Sequence, residues 1–141
     1  MRIDRDVWSA AVNCRPSLIT QFRMYCGSSD RECADKLLDH GSRFGFVTGR
    51  NVLRGKTLAN WSSVNIRVAP PFWAGLTASH YILKSGFAGN EDVLKSAIAH
   101  LLNHHADMSA FQKECNDILN HIDKSWLSNF LTEALEKSAS D

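Results

Sequence analysis

Seven of the eight glycines and two of the three prolines lie between residues 41 and 90, and this segregation constrains the fold more than any other feature of the chain. Glycine and proline punctuate regular structure, so uninterrupted helices belong to the two flanks and turns to the middle. Charge follows the same division. Residues 1–40 carry six basic and six acidic side chains. Residues 41–90 carry Arg43, Arg50, Arg54, Lys56, Arg67 and Lys84 with no acid, and residues 91–141 carry four lysines against nine acids. The blocks contribute 0, +6 and −5 to the net charge of +1.

The expected architecture is therefore mainly α: a compact helical bundle of five to six helices with a small two-stranded β element over residues ~44–68. The 141 residues, 44% of them hydrophobic, are expected to form one domain. Within it, 1–40 is helical, 41–90 Gly-rich and basic, and 91–141 an acidic three-helix segment. A domain of this size buries about 68–70% of its unfolded surface, enough to fold without metal or disulfide staples.

Helix punctuation in the first block is explicit. In "RPSLITQFRMYCG", Pro16 suits a first helical turn and Gly27 a left-handed cap, with Leu18, Ile19, Phe22, Tyr25 and Cys26 on one stripe. "SDRE", from Ser29 to Glu32, matches a capping box for a helix burying Cys33, Ala34, Leu37 and Leu38, which Gly41 is expected to stop. An earlier short helix runs through Val7, Trp8, Ala11 and Val12.

In the last block Asn90 caps a helix with Glu91 and Asp92 in its first turn, where the macrodipole favours anions. "SAFQ", from Ser109 to Gln112, is a second capping box, followed by Phe111, Cys115, Ile118 and Ile122 at helical spacing. A final helix presents Trp126, Phe130, Leu131, Ala134 and Leu135. Short links predict that these three pack as an antiparallel cluster. In the middle, "VNIRV" alternates like a strand, "RFGFVTG" is its candidate partner, and "AGLTASHYILKSG" reads as a helix ending at Gly86.

The stretch "GRNVLRGKT" resembles a phosphate-binding loop, but five residues separate Gly49 from Gly55 where that loop has four. An extra residue re-aims amides that must converge on one phosphate, and no downstream strand supplies a magnesium-binding Asp. The match is read as chance. The charge imbalance is different in kind. Phe44, Phe46, Trp61, Phe72, Trp73 and Tyr81 lie among six cations without a local anion. Guanidinium on phosphate and ring on base is how single-stranded nucleic acid is held. The competing expectation is that the acidic C-terminal helices neutralise the block internally.

"AHLLNHHADM" raises a metal hypothesis, because His100 and His104 are four residues apart and share a helix face. The zincin pattern needs Glu after the first His, and Leu101 stands there. On a helical wheel His105 falls in the middle of the apolar face, and His100 and His104 at its edge. Cys14, Cys26, Cys33 and Cys115 form no C-x-x-C pair and read as reduced structural thiols.

These features favour a non-enzymatic binding module that presents Arg43, Arg50, Arg54, Lys56, Trp61, Arg67 and Trp73 to a nucleic acid or nucleotide, with no cofactor implied. Two alternatives stay open: a protein-recognition module such as an inhibitor, adaptor or immunity-type protein, and a metal-dependent hydrolase using His100 and His104. The charged N-terminus "MRIDRDVWSA" and the absence of a long apolar run predict a cytoplasmic protein without membrane contact.

Overall fold

The computed structural model describes residues 1–50, 52–63 and 69–135. Among the described residues the chain forms eight helices: α1 (Arg5–Asn13), α2 (Arg15–Cys26), α3 (Asp30–Arg43), α4 (Gly55–Trp61), α5 (Phe72–Lys84), α6 (Glu91–His104), α7 (Met108–Cys115) and α8 (Lys124–Ala134). Among the described residues no helix is long and apolar enough to cross a membrane.

Local chemistry sets most boundaries. Pro16 occupies the first turn of α2, and Gly27 closes that helix in the left-handed region at φ 64°. Ser29 accepts from the Glu32 amide at the start of α3, and Asn90 from the Val93 amide at the start of α6. The cap of α7 is Asp107, which accepts from the Ala110 amide; Ser109, expected to open a capping box, lies inside the first turn. That helix ends at Cys115, so Ile118 and Ile122 belong to the turns that follow it.

Helix α5 is the centre of the molecule. Nine of its thirteen residues are buried, as expected of a helix with neighbours on every side. It packs against α2, α3 and α6, and α6 in turn lies between α5 and α1. The expected antiparallel cluster of the last three helices is thus displaced: the main partners of α6 are α5 and α1.

Two glycines permit these close approaches. A Cβ on Gly75 would stand 2.9 Å from His100 Nε2, and one on Gly41 would stand 2.9 Å from both Thr77 Oγ1 and Val47 Cγ1. Gly41 is therefore a packing residue inside α3, which runs on to Arg43 instead of stopping there.

No strand occurs among the described residues, and the expected β element over about 44–68 is not supported. Residues 44–45 form a turn and 46–49 follow as irregular chain. The Phe46 and Val47 amides both donate to the Gly41 carbonyl, at 2.8 and 3.3 Å, and Gly45 and Gly49 take positive φ. Amides folded back onto the end of α3 are spent there and cannot enter a ladder. The other half of that expectation, "VNIRV" at 64–68, lies outside the described residues. The one extended pairing described is an isolated bridge between Ile3 and Leu135.

Candidate functional site

The loop from α3 to α4 brings Arg50 back over two tryptophans. Its guanidinium carbon lies 5.5 Å from the Trp73 ring centroid and 5.9 Å from that of Trp61. The two rings meet edge to face at 5.8 Å. Trp61 ends α4 and is only 6% exposed, Trp73 sits in the first turn of α5, and Arg50 Nε donates to the Val52 carbonyl at 3.1 Å. Buried Leu53 anchors the loop just beyond. The cation is thus mounted on an aromatic base and oriented by one carbonyl.

The other expected ligand-binding residues are distributed differently. Arg43 is tied to Asp39 one turn back on α3, at 2.9 Å, with both side chains exposed. Arg54 flanks the start of α4, and Lys56 lies exposed in its first turn. Arg67 lies outside the described residues. Among the described residues, no carboxylate pairs with Arg50, Arg54 or Lys56, and Glu91 on the acidic C-terminal side is engaged by Lys95 and the Trp126 indole. Among the described residues, the internal neutralisation weighed from the sequence is not seen for these three cations; Glu136 and Asp141 lie outside the described residues.

Gly55, the glycine of Gly-Lys-Thr, has a packing explanation. It opens α4 against the start of α3, where a Cβ would stand 2.8 Å from the Arg31 amide nitrogen and 2.9 Å from the Asp30 carbonyl carbon. The backbones of α3 and α4 touch there, and glycine is the residue that allows it.

A second arginine on aromatic rings went unread in the sequence. Arg15 lies 5.7 Å from the centroids of both Trp8 and Phe72. Its Nε donates to His100 Nε2 at 2.9 Å and its Nη1 to the Pro70 carbonyl at 3.3 Å. Burial pulls this guanidinium below its ordinary range. Phe72 and Trp73 are consecutive, so the start of α5 has one arginine stacked on each. The signal available in sequence was the Phe-Trp pair after two prolines; nothing local linked it to Arg15.

The histidines sort by burial. His100, expected at the edge of an apolar face, is fully buried: Nδ1 donates to the Ser96 carbonyl at 2.7 Å and Nε2 accepts from Arg15. Burial pulls its pKa down to about 4. His104 is exposed and packs edge to face on Phe46. His105, expected on the packed face, follows α6 half-buried with Nε2 3.5 Å from Cys115 Sγ. The Cys115 thiol lines a groove of about 700 Å³ between α7 and α8, but burial pushes its pKa up to about 12, opposite to what a nucleophile needs. Among the described residues, no group of three or more His, Cys, Asp or Glu side chains is placed to hold a metal ion.

Comparison with known proteins gives no matching family model, no matching curated protein and no matching solved structure.

Proposed function

We propose that the chain is a binding module for a phosphate-bearing ligand, nucleic acid or nucleotide, and that Arg50 on the Trp61–Trp73 pair is its centre. The observation carrying this reading is a guanidinium fixed over two indoles, without a carboxylate partner among the described residues, in a segment that holds no acid. Arginine is the residue suited to bidentate phosphate contact, and stacking lowers the entropy lost when it engages. The tryptophans act mainly as a platform: Trp61 is buried, so base stacking falls to the half-buried Trp73. Lys56 and Arg54 supply diffuse attraction.

The test is fluorescence anisotropy with short single-stranded DNA and RNA and with nucleotides. Affinity should fall steeply with added salt, as counterion release requires. No binding to any of these at low salt overturns the reading.

A second reading, a protein-recognition module, is favoured by Val52 and Phe44, large apolar side chains exposed on the same loop. It predicts one stoichiometric protein partner in a pull-down that survives nuclease treatment.

A further inference from the structure

The chain leaving α3 is seated on a pair of histidines. His40 on α3 and His80 on α5 are both buried, and His40 Nε2 stands 2.8 Å from His80 Nδ1. Phe44 touches both imidazoles, its centroid 4.7 Å from that of His40 and 4.4 Å from that of His80. Phe46 packs edge to face on His80 at 5.2 Å and on His104 at 5.1 Å. The backbone of the same segment returns to α3 through the Phe46 and Val47 amides, which share the Gly41 carbonyl. Gly45 and Gly49, both at positive φ, bracket the stretch between the two phenylalanines and Arg50.

Two ring nitrogens 2.8 Å apart accommodate one hydrogen between them. With one N–H and one bare nitrogen the contact is a hydrogen bond; with both nitrogens protonated, two N–H groups meet head-on. A first added proton goes to an outer nitrogen and leaves a cation among aromatic rings, and a second breaks the contact itself. The surrounding groups do not compensate. Lys84 and Arg43 repel a charge on His40, and Lys84, His105 and His104 repel one on His80. Tyr81 meets His40 edge to face at 5.2 Å, and Asp39, which attracts a proton to His40, is already paired with Arg43. We propose that the His40–His80 pair is a proton-operated latch: acid separates the two imidazoles and frees residues 44–49 from α3 and α5 while the helical core stays folded.

Phe44 and Phe46 leave with the segment because they rest on the pair, and water then reaches both rings. Opening therefore takes up protons. Both imidazoles are held near a pKa of about 4 when enclosed and return toward 6.5 when exposed, so the latch is shut above pH 6.5 and weakens as pH falls toward 4. Residues 44–49 lead directly into Arg50, so acid also weakens the phosphate site; that consequence rests on the binding reading above, and the latch itself does not.

The experiment is amide hydrogen exchange of the full-length chain without ligand, followed by NMR at pH 6.5 and 5.0 and corrected for the intrinsic pH dependence of exchange. Protection of the Phe46 and Val47 amides should fall by about tenfold or more between the two, and at each pH should stay well below that of the buried Ile82 and Leu83 on α5. His40→Gln and His80→Asn each keep a hydrogen-bonding group opposite the remaining ring, and a side-chain amide can turn its oxygen toward a protonated partner. Either variant should shrink the fall several-fold. Protection at Phe46 and Val47 that stays level would overturn the proposal. So would a fall to the same value as Ile82 and Leu83, which reports global unfolding alone, or an undiminished fall in both variants. If neither variant folds, exchange in the parent chain decides. Oligonucleotide binding that is absent at every pH would strike the binding reading and leave the exchange result standing.

Discussion

His40 Nε2 and His80 Nδ1 lie 2.8 Å apart in the interior, so one imidazole donates its N–H to the bare ring nitrogen of the other. Phe44, Phe46 and Tyr81 enclose the dyad with ring contacts of 4.4 to 5.2 Å. Burial is the main force lowering both pKa values to about 4. Lys84 and Arg43 add repulsion at His40, against a weaker opposing pull from Asp39, while His40, Lys84, His105 and His104 add it at His80.

With His100 there are three imidazoles that stay neutral in the fold to about pH 4 and take up protons near 6.5 once exposed. Between those limits the unfolded chain binds more protons, so stability is full above pH 6.5 and falls as pH drops toward 4. Each shift is worth roughly 3 kcal/mol at most over the window, and those of the hydrogen-bonded His40 and His80 do not simply add. Urea unfolding from pH 7.5 to 4.5 should show the midpoint nearly level down to about pH 6.5 and falling steadily below it. A midpoint that stays level across that range would contradict the burial of these rings.

Substituting Gly55→Ala separates packing from phosphate binding in the Gly-Lys-Thr stretch. The added methyl meets backbone on α3, which cannot rotate away, so a loss of about 1–3 kcal/mol is expected. Lys56→Ala, an exposed change, should alter stability by less than about 0.5 kcal/mol. Thermal denaturation of the two variants checks this. An unchanged melting temperature for Gly55→Ala would mean that α4 does not rest on α3 as described.

Helix boundaries were readable where a residue performs one local task. Pro16, Gly27, Ser29 and Asn90 act within a few residues of themselves and stand where the sequence puts them. Gly41 was misread because a glycine that stops a helix and one that admits a neighbouring helix look alike without the neighbour. His100 was misread for a related reason. A helical wheel assumes one buried face, but α6 is covered by α5 and α1 together, and even Ser96 is buried, donating to the Ala11 carbonyl at 2.7 Å. In the candidate site, composition named Arg50, Trp61 and Trp73 only together with Arg43, Arg54, Lys56 and Arg67, and could not show that the first lies over the other two or that Arg43 has a private partner. Arg15 stayed invisible because its partners His100 and Pro70 lie 85 and 55 residues away.

The contact of Arg15 with the buried His100 gives a third prediction. Removing the guanidinium leaves a buried ring nitrogen without its donor, a loss of about 1–3 kcal/mol. It also removes a cation that disfavours the imidazolium, so Arg15→Ala should raise the His100 pKa. Proton NMR titration of the histidine ring resonances reads this directly. A His100 resonance that titrates identically in both proteins would deny the contact.

The final prediction concerns which arginine a phosphate-bearing ligand would use. Arg43 and Arg50 carry the same charge seven positions apart, so any difference between them comes from their settings. The Arg43 guanidinium is occupied by Asp39 and exposed, a pair worth under about 1 kcal/mol, whereas that of Arg50 is mounted on two indoles and free of carboxylate among the described residues. Arg50→Ala should weaken oligonucleotide binding several-fold at low salt and lower the salt slope by about 0.7, while Arg43→Ala should change neither noticeably. Arg50→Lys separates charge from geometry: an ammonium keeps the charge but loses the planar, bidentate face, so it should restore the salt slope without restoring the affinity. Trp61 and Trp73 supply an internal check, because intrinsic fluorescence should shift on ligand addition in the parent chain and much less in Arg50→Ala. Equal losses in the Arg43 and Arg50 variants would assign binding to diffuse charge and remove the special role of the tryptophan-mounted guanidinium.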